Sequence, residues 1–213
     1  MNSVILLSTE NGNGSHAHFG TQRPPGQRQP VRCVRKAYVA GAQRAGHEVR
    51  ITNVRDLTFD PILRGGFTGR QALEPDLAEQ QTLIRWCQHL VIVTPNWHSG
   101  LPGLFKGYVD RVFIPGFGVD YLEHFPYVKR RLRGRSAHMI YTQNTPRWIG
   151  RLARGDLLGD YVWRVTKRAI LGHCGFKPVR KTVFGGVKTS DAETRARWFA
   201  EVAELGNRRG RAT

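Results

Sequence analysis

Residues 90–113 constrain the fold more strongly than any other part of the chain, because they combine a buried strand, a turn and a helix. The strand is a continuous apolar run that ends at Pro95. The helix is predicted to begin near Pro102, because a missing N–H costs nothing in the first turn of a helix. Open α/β sheets bind ligands beyond the carboxyl ends of their strands. The turn between the two prolines therefore predicts a ligand site, and its side chains Trp97 and His98 suit a flat aromatic ligand better than a bare phosphate.

Strand and helix patterns alternate along the whole chain. Apolar or alternating runs predict five strands, at residues 4–7, 49–53, 90–93, 137–141 and 179–184. Helical patterns lie between and after them, and a capping-box pattern predicts that the last helix begins at Ser190. This alternation predicts an α/β fold, with a parallel sheet, right-handed crossovers and helices on both faces. We expect a single domain over residues 1–206 and a basic, disordered tail over 207–213.

The composition argues against several classes of protein. No apolar run approaches the roughly 18 residues that a transmembrane helix needs. The first apolar run is too short for a signal peptide and lacks its basic flank, so we expect a cytoplasmic protein. The cysteines Cys33, Cys87 and Cys174 are far apart, and no ligand spacing accompanies them. Neither a disulfide framework nor a metal site is therefore predicted.

The net charge of +17 leaves two interpretations of the surface open. Acidic residues are absent between Glu10 and Glu48, and again over residues 126–154. These basic stretches form either a solvated face or an electropositive rim around a phosphate-bearing ligand. A basic α/β protein that binds nucleic acid or another polyanion is an alternative function. Nucleic acid is not the favoured partner, because the sequence carries no motif for its recognition.

Three loops follow the first, third and fourth predicted strands, and a parallel sheet brings such loops to one edge. The first loop covers residues 9–30, where Ser15 and His16 are predicted to hold a phosphate near the positive end of the next helix. The loop after the fourth strand covers residues 142–146 and is rich in hydrogen-bonding side chains. The chain has neither the dinucleotide-binding glycine motif nor a Walker-type loop.

Three blocks of the sequence resemble the flavodoxin-like NAD(P)H:quinone oxidoreductases. Residues 47–63 (HEVRITNVRDLTFDPIL) resemble the family's second strand and the segment after it. Residues 76–121, which include TPNWHSGLPGLFKGYVDRVF, resemble its third strand, flavin-contacting turn and next helix. Residues 171–198 resemble its last strand and helix. The resemblance implies a flavodoxin-like three-layer sandwich, with a five-stranded parallel sheet in the order 2-1-3-4-5, and a homodimer.

The resemblance also implies a cofactor and a reaction. NAD(P)H is the co-substrate, a non-covalent FAD or FMN carries the electrons, and a quinone or similar small molecule accepts two of them. The implied flavin-binding residues are Thr9, Ser15, His16, Pro95, Asn96, Trp97, His98, Gly100, Thr142, Gln143, Asn144 and Thr145. The side chains of Asn96, Gln143 and Asn144 are predicted to hydrogen-bond the N1/O2/N5 edge of the ring, and His98 or Tyr141 is predicted to relay a proton. Because the first loop is long and contains prolines, a degenerate reductase without flavin is a further alternative.

Overall fold

The computed structural model describes residues 3–9, 30–67, 71–123, 127–145 and 160–208. Its strands are β1 (Ser3–Ser8), β2 (Glu48–Asn53), β3 (His89–Pro95), β4 (Val119–Tyr121), β5 (Val128–Arg130), β6 (Ser136–Thr142) and β7 (Val179–Phe184). The first three helices are α1 (Pro30–Arg44), α2 (Pro75–Trp86) and α3 (Gly103–Val112). The next, which we call the π-bulged helix, consists of Tyr161–Arg164, the π-helical Val165–Leu171 and Gly172–Cys174. The C-terminal helix is Ala192–Arg208.

The main sheet has five strands in the order β2-β1-β3-β6-β7, and each neighbouring pair is parallel. These are the five strands that the sequence predicts, in the predicted spatial order. The short strands β4 and β5 form a separate antiparallel pair in the part of the chain that connects β3 to β6. This pair was not predicted from the sequence, because strands of three residues are too short to show a period.

Two apolar cores lie on opposite faces of the main sheet, because successive side chains of a strand point to opposite sides. Ile5 and Leu7 of β1 enter the core that is covered by α2, α3 and the π-bulged helix. Val4 and Leu6 enter the core that is covered by α1 and the C-terminal helix. Helices on both faces are therefore confirmed, and burial on both sides explains why this strand is apolar throughout.

Two glycines allow α1 and the C-terminal helix to cross with their backbones almost in contact. A Cβ atom on Gly41 would lie 1.9 Å from the carbonyl oxygen of Ala203. A Cβ atom on Gly206 would lie 2.4 Å from the carbonyl oxygen of Tyr38. No side chain larger than hydrogen fits at either position unless the two helices move apart.

The charged side chain of Arg111 in α3 is buried, and it fastens the segment before α2 to this helix. Its guanidinium nitrogens lie 2.7 and 3.1 Å from the carboxylate oxygens of Glu74. They also donate to the carbonyl oxygens of Asp60 and Ala72, each at 2.7 Å. The side chain is 1% exposed, and a buried guanidinium is tolerated only when it is paired and hydrogen-bonded in this way. Arg111 therefore holds both Asp60 and Ala72 against α3.

The N-cap of the C-terminal helix lies one residue later than the capping-box pattern predicts. The carboxylate of Asp191 accepts a hydrogen bond from the N–H of Thr194 at 2.7 Å, which makes Asp191 the N-cap. The hydroxyl of Ser190 donates instead to the carbonyl oxygen of Val187 at 2.9 Å. Choosing Ser190 as the cap was therefore wrong, because the hydroxyl has a different partner in the folded chain.

The C-terminal helix extends to Arg208 and so includes the first residues of the predicted tail, 207–213. Residues 209–213 lie outside the described residues. None of the helices in the described ranges is long and apolar enough to cross a membrane.

Candidate functional site

The carboxyl ends of β1, β3 and β6 meet at one edge of the sheet, where hydrogen bonds join the residues that end them or follow them. The N–H of Thr9 donates to the carbonyl oxygen of Val93 at 3.4 Å. The side-chain oxygens of Thr9 and Thr94 lie 3.1 Å apart. The N–H of Asn96 donates to the carbonyl oxygen of Thr142 at 2.8 Å. The structure thus places residues from three loops of the predicted site next to one another.

A tight turn leaves the end of β3 and carries Trp97 and His98. The N–H of Trp97 donates to the carbonyl oxygen of Gly100 at 3.1 Å, and the N–H of Gly100 donates back at 2.8 Å. His98 and Ser99 have φ angles of 49° and 60°, which are rare for residues other than glycine and are characteristic of type I′ turns. Such backbone strain is concentrated at functional sites. The turn leaves the Trp97 indole 50% exposed and the His98 ring exposed.

The turn after β6 is fixed by the end of the neighbouring strand β7. The N–H of Gln143 donates to the carbonyl oxygen of Phe184 at 2.9 Å, and its carbonyl oxygen accepts from the N–H of Val187 at 3.2 Å. The side-chain nitrogen of Gln143 donates to the carbonyl oxygen of Thr145 at 3.2 Å. The loop at 185–190 is therefore part of the site, although the sequence analysis assigned no residue there. The position of this loop in the sequence could have predicted its place, because it follows the fifth parallel strand and so leaves the sheet at the same edge as the other three loops.

A pair of side-chain amides joins the two turns directly. The nitrogen Nδ2 of Asn96 donates to the oxygen Oε1 of Gln143 at 3.1 Å. Both side chains are half-buried, whereas Asn144 and Thr145 beyond them are exposed. The turns that carry Trp97 and Gln143 are therefore in contact at one edge of the sheet and do not lie on opposite rims. We call the space that these two turns border the slot.

Two buried polar atoms at this edge have no hydrogen-bond partner. One is the side-chain oxygen Oδ1 of Asn96, and the other is the hydroxyl of Ser8 at the end of β1. Buried polar atoms are usually paired, so these two are available to a polar ligand or to water. Ser8 is not among the site residues predicted from the sequence, although its place as the first polar residue after a buried apolar run was a signal for it.

Tyr141 lies on the core side of β6 and not in the turns. Its side chain is 1% exposed, and its hydroxyl donates to the carboxylate of Asp160. The same carboxylate pairs with Lys181. Burial, followed by the hydrogen bond to Asp160, raises the pKa of Tyr141, so the phenol keeps its proton near neutral pH. This placement disfavours the role of proton relay that the sequence analysis gave it.

Ser15 and His16, the predicted phosphate ligands, lie outside the described residues. Pro95 is the last residue of β3 and pairs with Thr142 of β6, as the parallel register requires. Among the side chains that the structure describes, no group of three or more His, Cys, Asp or Glu residues is placed to hold a metal ion.

The chemical groups at this edge fit the ring system of a flavin. The half-exposed indole of Trp97 offers a flat face on which an aromatic ring can stack. The amides of Asn96 and Gln143 and the hydroxyl of Ser8 offer donors and acceptors for the polar edge of such a ring or for its side chain. The oxygen Oδ1 of Asn96 and the hydroxyl of Ser8 have no partner in the protein, so both can pair with a bound ring or its side chain.

A family model described as the flavodoxin-like fold matches residues 24–205. The chain therefore belongs to this family of flavodoxin-like proteins, and the resemblance to the flavodoxin-like quinone oxidoreductases is confirmed. NAD(P)H dehydrogenase (quinone) 1 of Cavia porcellus is 24% identical over 190 residues, which cover 79% of this chain and 68% of that protein. A ribosyldihydronicotinamide dehydrogenase-like protein of Penicillium crustosum is 32% identical over 77 residues, which cover 33% of this chain and only 29% of that protein.

Solved structures share the same fold. An NAD(P)H:quinone oxidoreductase from Methanothermobacter marburgensis superposes with a TM-score of 0.73, at 19% identity, over 100% of this chain and 98% of that one. An FMN-dependent NADH-azoreductase from Bacillus anthracis, solved in complex with FMN, has a TM-score of 0.71 at 15% identity, over 99% of this chain and 100% of that one.

Proposed function

We propose that this protein is an oxidoreductase that passes two electrons from NAD(P)H, through a non-covalently bound flavin, to a quinone or a similar acceptor. The observation that carries the proposal is the amide pair Asn96–Gln143, which joins the two turns into one slot with an unpartnered buried acceptor. The relatives named as quinone dehydrogenases and the FMN-bound azoreductase support the same chemistry. The flavin is FMN or FAD, and the cytoplasmic location stays a prediction.

The residues of the slot bind and orient, while a bound flavin would supply the hydride and electron transfer. The Trp97 indole forms one wall of the slot and limits the access of water to it. The side chains of Asn96, Gln143 and Asn144 hold the polar edge of the ring. The hydroxyls of Ser8 and Thr9 lie at the end of β1, where the chain enters the predicted phosphate loop.

His98 is the residue proposed to hold a proton for the acceptor. Its ring is exposed beside Trp97, and the two ring nitrogens of an imidazole can donate or accept a hydrogen bond. Tyr141 is not given this role, because its hydroxyl is buried against Asp160.

Incubation of the purified protein with FMN or FAD is expected to give a yellow complex in which the flavin fluorescence is quenched. The yellow colour is expected to bleach when NAD(P)H is added. Replacing Trp97 by alanine is expected to weaken flavin binding about tenfold, because a stacked aromatic ring contributes about 1 kcal/mol beyond its burial. Fluorescence titration of the folded variants measures this change.

Trp86→Ala is the matched control for the flavin titration. Trp86 ends α2 at the opposite edge of the sheet, where its carbonyl oxygen accepts from Ser3, and Arg50 stacks on its ring at 4.2 Å. Its replacement is expected to leave flavin affinity unchanged. If the wild-type protein binds neither FMN nor FAD, the proposed function is overturned and the alternative of a degenerate reductase without flavin is favoured.

The protein is proposed to work as a homodimer, as the family resemblance implies. Tyr121, Leu122 and Tyr127 are 60%, 51% and 65% exposed, and they line an open pocket of about 490 Å³ where β4 and β5 meet. Clustered apolar side chains on a surface favour contact with another protein surface. A second copy of the chain is the partner proposed to cover them.

Sedimentation equilibrium is expected to give twice the chain mass of 24.1 kDa. Leu122→Glu is expected to shift the equilibrium towards the monomer, because a carboxylate is costly to bury in an apolar contact. Ile51→Glu, at a position 44% exposed on the edge strand β2, is the control that is expected to remain dimeric. A wild-type monomer at all concentrations would contradict the dimer.

Two arginines in the described part of the second basic stretch already have local partners, which does not favour the polyanion-binding alternative. One of their members, Arg131, is already paired with Asp120 at 2.7 Å. Another, Arg135, donates to the carbonyl oxygen of Arg85 at 2.6 Å. These contacts suit a basic face that is held by local partners.

A further inference from the structure

The chain of amides at the site has a fixed direction. The carbonyl oxygen of Thr145 can only accept, so the nitrogen of the Gln143 side chain must face it, at 3.2 Å. The oxygen of the same amide then faces Asn96 and accepts from its nitrogen at 3.1 Å. The orientation of an amide is assigned from its partners, and here the partners leave one choice.

This direction leaves an acceptor, and not a donor, unsatisfied at the slot. The oxygen Oδ1 of Asn96 is turned away from Gln143, is buried and has no hydrogen-bond partner. A buried acceptor is destabilising until a donor reaches it. The ligand of the slot is therefore expected to present an N–H or O–H group to Asn96.

An oxidised isoalloxazine ring has a single N–H donor, at N3, between the two carbonyl groups of its polar edge. Its other polar positions, N1, O2, O4 and N5, can only accept. Those positions cannot satisfy Oδ1, so the role predicted for Asn96 at the N1/O2/N5 edge does not account for its unpartnered atom. Among the ring atoms, only the hydrogen at N3 can satisfy it.

We propose that the side-chain oxygen of Asn96 accepts a hydrogen bond from the N3–H of the flavin, and that Gln143 acts as a positioning residue that holds Asn96 in this orientation. The inference rests on the proposed function, because it needs a flavin in the slot. It predicts that the protein prefers flavins with a free N3–H over flavins alkylated at N3.

Dissociation constants for FMN and 3-methyl-FMN, measured by flavin fluorescence, test this role. The wild type is expected to bind 3-methyl-FMN about tenfold more weakly than FMN, because the methyl group removes one hydrogen bond. Asn96→Ala is expected to bind FMN more weakly and to bind the two flavins about equally. Asn207→Ala, a change at the far end of the C-terminal helix, is the control that is expected to keep the wild-type ratio.

Variants of Gln143 test the positioning role. Gln143→Leu removes the acceptor for the Asn96 nitrogen, so the preference for FMN is expected to fall. Gln143→Glu keeps an acceptor oxygen for that nitrogen but turns its second oxygen towards the carbonyl oxygen of Thr145, so the ratio is expected to fall less than in Gln143→Leu, even if both affinities decrease. Equal loss of the ratio in both variants would overturn the positioning role.

The experiment separates failure of this inference from failure of the proposed function. Tight binding of FMN with no penalty for 3-methyl-FMN would overturn the role of Asn96 and leave the flavoprotein intact. An Asn96→Ala variant that still prefers FMN over 3-methyl-FMN as strongly as the wild type would also overturn the role of Asn96. An absence of binding to every flavin would overturn the proposed function, and this inference with it.

Discussion

Replacing Arg111 by alanine is expected to lower the free energy of unfolding by about 3 kcal/mol. The variant would lose the pair with Glu74 and leave the carbonyl oxygens of Asp60 and Ala72 without their donors. Removing one partner of a buried ion pair costs about 3–5 kcal/mol, and Glu74 retains some access to water, so the lower end applies. Urea unfolding should show the change as a lower midpoint, and thermal unfolding as a decrease of roughly 6–12 °C.

Arg131→Ala is the matched control for this prediction. Arg131 also faces a carboxylate with two close contacts, both at 2.7 Å to Asp120, but its side chain is 44% exposed. An exposed pair contributes about 0–1 kcal/mol, so this variant is expected to unfold close to the wild type. Equal losses for the two variants would show that burial is not what makes Arg111 important.

The same pair gives the stability of the protein a dependence on pH. Burial by itself raises the pKa of Glu74. The hydrogen bonds from Arg111 and from the backbone N–H of Asp60 together lower it by more, so the pKa lies below the ordinary 4.5. A carboxylate with a lowered pKa stabilises the fold above its unfolded pKa, and this contribution is lost as the pH falls through the folded value. The loss of stability between neutral and acid pH is therefore expected to be smaller in Arg111→Ala than in the wild type.

Replacing Gly41 by alanine is expected to lower the free energy of unfolding by about 3 kcal/mol, as much as Arg111→Ala, but for a different physical reason. The new methyl group would meet the carbonyl oxygen of Ala203 at 1.9 Å, and a backbone atom cannot turn aside as a flexible side chain can. The helices must separate, which removes contacts around Gly206 as well, so the cost lies at the upper end for overpacking. Thermal and urea unfolding measure it.

Gly103→Ala is the control for Gly41→Ala. Gly103 also lies in a helix, at the start of α3, but a Cβ atom there would meet nothing within 4 Å. This substitution is expected to be neutral or stabilising by up to about 1 kcal/mol, because alanine has less conformational freedom to lose on folding. A similar loss of stability in both variants would contradict the prediction, because it would show that a methyl group is no more costly at the helix crossing than at an open position.

The sequence predicted the sheet well because burial on both faces leaves a strong local pattern. Runs such as Val4–Leu7 are apolar at every position only when helices cover both sides, so the strands and their parallel arrangement followed from the pattern. The pair β4 and β5 escaped prediction, because three-residue strands with mixed exposure carry no such pattern.

The edge that carries the candidate site was also predictable, because parallel strands release their loops together. What the sequence could not predict was the choice of partner for each polar group. Ser190 and Asp191 are both good capping residues, and only the folded loop decides between them. Tyr141 was a plausible relay by its position near a strand end, but the contact with Asp160 depends on how the π-bulged helix packs.

The sequence by itself determined the order of strands and helices, the sheet edge of the site and the residue types available there, because these depend on periodicity and on chain connectivity. The tertiary structure alone decided that Arg111 is buried, that Gly41 and Gly206 meet another helix, and that Asn96 keeps an acceptor free beside Gln143. Each of these depends on contacts between residues far apart in the chain. A local pattern contains no information about the atom that will lie opposite a given group, and that atom determines whether a charge, a methyl group or an amide is favourable there.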